Sequence, residues 1–199
     1  TFDRLLSEGR SLNLLVLDSL YGFGLRIYAK LHDLLVRRRV DVLDRVGEEL
    51  SLQGLEDFRV DSRGVVMVRV RSGYMPVNVI GDGAKLLLLS SLISVLPDVE
   101  LLLMEEPESH MHPGYLRALA RLIVEAAKAG RQLFVSTHSL ELIEHLLEEV
   151  EVAGLVDVLR VIRMYWSDDL LEAELLSYHE VRERVEELGE DLRLSLIHI

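Results

Sequence analysis

Cysteine is absent from the 199-residue chain, and its absence excludes disulfide bonds and thiolate metal sites. Long apolar runs are also missing, because the longest one, Leu86–Leu96, is interrupted by three serines and is too short to span a bilayer. No charged segment followed by an apolar one opens the chain, so no secretory signal is visible. These absences favour an intracellular, cytoplasmic protein with no membrane segment. Thr1 in place of Met suggests a piece of a longer protein.

Clustered positive charge is scarce. Residues 1–99 carry 13 Lys+Arg and 13 Asp+Glu, whereas residues 100–199 carry 9 and 21, so the whole net charge of -12 lies in the second half. Binding to the phosphate backbone of a nucleic acid needs clustered cations, which argues against such an interface in that half. The basic run Arg37–Arg39 fits a solvated helix face better than a DNA contact.

A phosphate-binding loop of the form G-x-x-x-x-G-K-[ST] does not occur in these 199 residues. The nearest approach is the sequence Gly9-Arg10-Ser11. There the first Gly of the pattern would fall on Arg4, and Arg10 replaces the Lys, so the pattern is not matched.

The spacing of apolar residues predicts an α/β protein with a parallel sheet flanked by helices, a helical N-terminal region and a C-terminal β-hairpin followed by a helix. We divide the chain into residues 1–75, a helical region with strands; 76–150, the core; and 151–199, the hairpin and helix. Helical spacing between Leu12 and about Leu50 predicts two or three helices. Strands are predicted at residues 65–70, 74–80 (strand or turn), 100–104, 132–136, 159–165 and 171–177. Further helices are predicted at 84–96, 113–130, 139–150 and 180–188. Residues 194–199 are given no structural role.

Acidic side chains end one predicted buried strand, and a histidine follows the next. Glu105 and Glu106 follow the apolar run from Leu101, and His138 follows the strand that starts at Gln132. In an open α/β sheet, reactive groups collect at the carboxyl ends of the strands, and phosphoryl-transfer sites use this arrangement. We therefore expect Glu105 to support Mg²⁺ directly or through water, Glu106 to act as general base or water-positioning group, and His138 to hydrogen-bond the transferred phosphoryl group.

Leu101–Pro113 and Ser136–Ser139 resemble the Walker B, D-loop and switch-histidine segments of an ABC-type ATPase, a branch of the P-loop NTPases. The string EEPESHMHP resembles most the soluble recombination, SMC and overcoming-lysogenisation-defect branch. The resemblance places the glycine-rich signature loop at Gly81, Asp82 and Gly83, and the D-loop, an interface segment, at Ser109, His110 and His112. The chain departs from the family pattern at two positions, because Glu105 replaces an Asp and Gly81 replaces the signature Ser.

This resemblance implies an ATPase that uses ATP and Mg²⁺ and holds the nucleotide between two protomers. The partner is then a second copy of the chain or an N-terminal lobe that carries the P-loop, and the isolated chain is expected to be inactive. Related ATPases handle DNA ends or act in defence, so DNA or a DNA-processing protein is a candidate partner of the intact protein.

Two other functions remain open from the residues. The chain could be a non-enzymatic dimerisation or interaction module with an ATPase-like surface. It could also be a metal-dependent hydrolase or nuclease built on His110, His112 and the neighbouring glutamates, although a zinc site needs three or four convergent ligands.

Overall fold

The computed structural model describes residues 14–18, 57–63, 65–70, 73–94, 99–187 and 195–198. Two β-sheets form the framework of this part of the chain. The helices predicted between residues 19 and 50, the basic run Arg37–Arg39 and the segment Gly9–Ser11 lie outside the described residues. None of the helices in the described ranges is long and apolar enough to cross a membrane.

Nine strands and four α-helices are described. The strands are β1 (Leu14–Asp18), β2 (Asp57–Val60), β3 (Val66–Val70), β4 (Gly73–Pro76), β5 (Leu101–Glu105), β6 (Gln132–Thr137), β7 (Arg160–Ser167), β8 (Leu170–Ser177) and β9 (Ser195–His198). The helices are α1 (Asp82–Ser94), α2 (Pro113–Lys128), α3 (Leu140–Ala153) and α4 (Tyr178–Arg182). A 3-10 turn at Val77–Val79 precedes α1, and a π-helical turn at Glu183–Glu187 continues α4.

The larger sheet has the order β1-β5-β6-β9-β7-β8 and is mixed. Strands β1, β5 and β6 are parallel, whereas β9 is antiparallel to both β6 and β7, and β8 is antiparallel to β7. The prediction of a parallel sheet is therefore correct only for the three strands that hold the candidate site. The antiparallel half arises because β7 and β8 are joined by a two-residue turn, which can connect only antiparallel strands.

Helix α1 lies inside the core. Four consecutive leucines, Leu86–Leu89, are buried, so the helix is apolar around its whole circumference, as expected of a helix enclosed on all sides. Helix α2 packs on both α1 and α3. Leu102 of β5 and Leu119 of α2 are among the largest fully buried side chains of the same cluster. This packing gives β5 and β6 a rigid support for the loops that follow them.

Several sequence predictions are confirmed. Helix α2 begins at Pro113, where the ring suits the first helical turn. Ser139 caps α3 by accepting a hydrogen bond from Leu142 N at 3.1 Å, as predicted. The hairpin is formed by β7 and β8, and its turn residues Asp168 and Asp169 have φ values of 45° and 67°. Two such residues match a two-residue hairpin turn, where left-handed conformations follow the twist of the strands.

At three places the structure differs from the expectations. Residues Leu14–Asp18, which were expected to be helical, form strand β1 beside β5. The predicted final helix is present, but it begins two residues earlier than Glu180, at Tyr178, and changes to a π-helical turn at Glu183. Residues Ser195–His198, to which the sequence analysis gave no role, form β9 in the middle of the larger sheet.

Candidate functional site

The carboxyl ends of the three parallel strands meet at one edge of the larger sheet. Asp18, Glu105 and Ser136 occupy equivalent positions at the ends of β1, β5 and β6, because Asp18 pairs in register with Glu105 and Glu105 with Ser136. The ladder extends one residue further, where Glu106 N donates to Ser136 O at 3.0 Å. The loops that follow β5 and β6 therefore leave the sheet side by side.

Glu106 and His138 meet at this edge. Nε2 of His138 lies 3.1 Å from Oε1 of Glu106, and both side chains are partly exposed, at 59% and 41%. Because water surrounds the pair, the contact contributes little to folding stability. Its position matters more than its energy, since a carboxylate and an imidazole face the same accessible space.

The loop between β5 and α2, residues 106–112, is sharply folded. Glu106 and His110 have φ values of 42° and 64°, the left-handed region that non-glycine residues seldom adopt. Two short turns close the loop, with Ser109 N donating to Glu106 O and Met111 N to Glu108 O, each at 2.9 Å. Such backbone conformations persist only where the surroundings enforce them, and they concentrate at functional sites.

The three predicted D-loop residues have different environments. Ser109 donates from Oγ to Oε2 of Glu106 at 3.3 Å, so it contacts the candidate general base. His110 is exposed. His112 accepts a hydrogen bond at Nδ1 from Gly114 N at 3.1 Å and so caps α2. Of these three residues, Ser109 contacts the Glu106–His138 pair through Glu106, and His112 has a structural contact that the sequence does not predict.

The predicted signature residues lie at the start of α1. A Cβ on Gly83 would stand 2.7 Å from His110 O and 2.8 Å from Met111 Cα, distances that real Cβ atoms do not show. Gly83 therefore permits α1 to touch the 106–112 loop of the same chain. Gly81 has open space around its Cβ position and is exposed. Of the two glycines, Gly81 alone is open to a ligand or partner from outside.

Asp82 stands between these glycines and is paired with a cation. Lys85 Nζ lies 2.8 Å from Asp82 Oδ1, and the pKa of Asp82 is lowered by that hydrogen bond and by the charge of Lys85. The backbone of His110 lies against the start of α1, where it faces Gly83. The segments predicted to be the signature loop and the D-loop are thus neighbours within the chain.

Three further residues lie at this edge in positions that the sequence did not predict, although Glu108 is one of the glutamates of the metal-site alternative. Glu108 and Thr137 link the two loops by a 2.5 Å hydrogen bond from Thr137 Oγ1 to Glu108 Oε1. Asp18 ends β1 at the same level as Glu105. A signal for Asp18 was present, because LLVLD repeats the pattern of LLLME, an apolar run that ends in an acid.

The carboxylate oxygens at this edge are better ligands for a hard cation such as Mg²⁺ than for zinc. Within the described residues, no group of three His, Asp or Glu side chains is placed to hold a metal ion by itself. Glu105 is exposed at the end of β5. A single carboxylate is a typical protein contribution to Mg²⁺, which keeps several waters and takes its remaining ligands from substrate phosphates.

Two solved structures share the fold. One, described as "Structural biochemistry of ATP-driven dimerization and DNA stimulated activation of SMC ATPases", matches with a TM-score of 0.55 and 15% identity over 80% of this chain and 98% of that chain. The other, an Smc head domain with an extended coiled coil bound to the C-terminal domain of ScpA from Pyrococcus furiosus, has a TM-score of 0.54 and 14% identity, and covers 81% and 40%. At these identities the likeness concerns the fold alone, an α/β fold of the P-loop NTPase type.

Sequence comparison reaches the family. The chain is 34% identical over 114 residues to the Uncharacterized protein MJECL11 of Methanocaldococcus jannaschii, a match that covers 57% of this chain and 98% of the relative. Residues 18–144, more than half of the chain, match the family model described as "AAA domain, putative AbiEii toxin, Type IV TA system". The chain therefore belongs to this AAA-domain family.

Proposed function

We propose that the chain is the catalytic-motif lobe of an ATPase of the ABC type, which hydrolyses ATP held between two protomers. The observation that carries the proposal is the 3.1 Å contact between Glu106 Oε1 and His138 Nε2 at the carboxyl ends of parallel strands. Membership of an AAA-domain family and the fold shared with SMC ATPase structures support a nucleotide-hydrolysing role.

Glu106 has the chemistry of a general base. Its carboxylate orients a water molecule and accepts a proton from it as the water oxygen bonds to the γ-phosphorus of ATP. The bond from that phosphorus to the bridging oxygen breaks, and ADP and phosphate are the products. The hydrogen bond from Ser109 Oγ to Glu106 Oε2, at 3.3 Å, leaves Oε1 directed to the side where His138 lies.

His138 is the candidate donor to the transferred phosphoryl group. Its ring is partly exposed and lies beside Glu106, so a phosphate bound at this edge can receive a hydrogen bond from Nε2. A donor fixed where negative charge accumulates stabilises the transition state without needing to reorganise.

Glu105 is the residue that we assign to Mg²⁺. None of the ion pairs within the described ranges joins Glu105 to a lysine or arginine, so its exposed carboxylate is available to a cation or to the waters of one. The ion, when bound, neutralises charge on the phosphates.

The phosphates need further positive charge, which we assign to a P-loop outside these residues. No G-x-x-x-x-G-K-[ST] pattern occurs in the 199 residues, so we propose that an N-terminal lobe supplies it and that the isolated chain is inactive. Gly81, Asp82 and Gly83, at the N-terminus of α1, would face the nucleotide held by the other protomer. Because Gly83 contacts the 106–112 loop, Gly81 is the glycine of the pair that we expect to approach the phosphate.

A reconstitution experiment tests this function. The chain is mixed with a lobe that carries a P-loop, and phosphate release from ATP is measured for the wild type, for Glu106→Gln and for Glu100→Gln. Glu100 is a matched control, because it is an exposed glutamate immediately before the start of β5, at the opposite end from Glu106. We expect hydrolysis only in the mixture, a loss of about 10²–10⁴-fold for Glu106→Gln and no change for Glu100→Gln.

Sedimentation of the same mixtures tests the dimer. Because Glu106→Gln removes a proton acceptor and leaves phosphate binding intact, ATP should hold this variant in the dimer longer than the wild type. Micromolar ATP affinity in the isolated chain would contradict the assignment of the P-loop elsewhere. Hydrolysis unaffected by Glu106→Gln would contradict the catalytic assignment.

A further inference from the structure

Glu108 joins the two loops that carry Glu106 and His138. Its Oε1 accepts hydrogen bonds from Thr137 Oγ1 at 2.5 Å and from His138 N at 3.0 Å. The carboxylate belongs to the loop after β5, and both donors belong to the end of β6 and the loop that follows it. A single oxygen of one loop therefore binds two consecutive residues of the other.

The hydrogen bonds from Glu108 extend to Ser139, the residue after His138. Thr137 Oγ1, which donates to Glu108, accepts a hydrogen bond from Ser139 N at 3.0 Å. Ser139 then caps α3 through its side chain. The amides of His138 and Ser139 are thus both anchored, one directly to Glu108 and one through the Thr137 hydroxyl, which fixes the backbone on each side of the imidazole.

The base of this anchor is itself rigid. Thr137 is 1% exposed, and the backbone of Glu108 is held by Met111 N, which donates to Glu108 O at 2.9 Å. Glu106 lies two residues before Glu108 in the same folded loop. The geometry points to Glu108 as a positioning residue that sets the imidazole of His138 against the carboxylate of Glu106. This inference rests on the proposed ATPase function for its consequence, but not for its geometry.

Substitutions of Glu108 can distinguish a positioning role from a role of its charge, because its two carboxylate oxygens have different environments. Oε2 of Glu108 is buried and has no hydrogen-bond partner among the described residues, so the contacts to the neighbouring loop depend on Oε1 alone. A glutamine keeps an oxygen at the same reach, an aspartate is one methylene shorter, and an alanine has no acceptor. A positioning role therefore predicts activity in the order Glu, Gln, Asp, Ala.

The first measurement needs no nucleotide. Amide hydrogen exchange of His138 and Ser139 is followed by NMR in the 199-residue chain. In Glu108→Ala the His138 amide should exchange at least tenfold faster than in the wild type, because it loses its acceptor. The Ser139 amide should exchange faster by a smaller factor, since its acceptor Thr137 Oγ1 remains but is no longer held by Glu108. In Thr137→Val the Ser139 amide should be affected far more than that of His138, since the bond from His138 N to Glu108 remains. Glu144→Gln, an exposed change on α3, is the control and should leave both rates unchanged.

The second measurement uses the reconstituted protein. Glu108→Ala should lower kcat for ATP hydrolysis about tenfold or more and leave KM within about twofold, because Glu108 contacts the histidine loop rather than the nucleotide. Glu108→Gln should recover most of that loss. A residue needed only for folding stability would leave kcat unchanged well below the unfolding temperature, and that result would overturn the inference.

The two proposals fail separately. If no mixture hydrolyses ATP, the proposed function is wrong, while faster amide exchange in Glu108→Ala still supports the positioning role. If Glu106→Gln abolishes hydrolysis and Glu108→Ala retains the wild-type kcat and amide protection, Glu108 positions nothing. Should Glu108→Ala not fold, Thr137→Val and Glu108→Gln provide the same comparison, and normal Ser139 protection in Thr137→Val would refute the anchor.

Discussion

Replacing Gly83 by alanine tests the contact between α1 and the 106–112 loop. The added methyl would stand 2.7 Å from His110 O and 2.8 Å from Met111 Cα, and both are backbone atoms that cannot turn aside as a flexible side chain does. Insertion of one methyl group into packed structure costs about 1–3 kcal/mol. Alanine recovers up to about 1 kcal/mol of helix propensity over glycine. Subtracting this gain from the middle of the first range leaves an expected net loss of about 1–2 kcal/mol.

Thermal unfolding followed by circular dichroism measures this loss. For a chain of this size, each kcal/mol corresponds to about 2–4 °C, so Gly83→Ala should melt about 2–8 °C below the wild type. Gly81→Ala is the matched control, because it lies two residues earlier and its Cβ would meet nothing within 4 Å. Neither glycine has a positive φ, so backbone strain does not separate the two variants. Equal melting temperatures for both variants would refute the close contact.

Two further predictions concern the C-terminal part. Ile197→Pro should lower the free energy of unfolding, measured in urea, by at least about 1–3 kcal/mol. Ile197 pairs with both Val135 and Val161, and proline removes an amide donor from this interior strand. An unchanged unfolding midpoint would contradict the position of β9. Hydrogen bonds from Arg184 lower the pKa of Glu174 below its ordinary 4.5. Their contribution to stability is therefore present above that pH and is lost as the pH falls through the folded-state pKa. The stability difference between wild type and Glu174→Gln should shrink on acidification, and a constant difference would contradict this linkage.

The parallel half of the sheet and its helices could be predicted because their signals are local. The strand at Leu101 is a continuous apolar run, Pro113 starts α2 and Ser139 caps α3, and each of these features acts within a few residues. The edge at which Glu106 and His138 meet followed from the same signals, since parallel neighbouring strands end on one side. The structure tests their convergence, whereas their catalytic roles stay predictions.

The errors have a common physical origin in long-range pairing. Leu14–Asp18 is a short apolar run, which periodicity alone cannot assign to helix or strand, and its pairing with β5 decides the outcome. The four-residue strand β9 carries no local signal at all, because its place between β6 and β7 depends on residues far away in the chain. The same limit applies to Glu108, whose bonds reach 29 and 30 residues along the chain.

The 106–112 loop connects parts of the site that are far apart in the sequence. Its backbone touches α1 at Gly83, its Glu108 side chain holds the loop of His138, and its first residue is Glu106 itself. Because the anchors of the loop at Gly83 and Thr137 are buried in close-packed surroundings, we expect a displacement at one of them to move the loop that joins them. A partner that presses on α1 would therefore alter the distance between Glu106 and His138. On this argument Gly83→Ala should reduce hydrolysis in the reconstituted protein as well as stability, whereas Gly81→Ala should leave the Glu106–His138 contact intact.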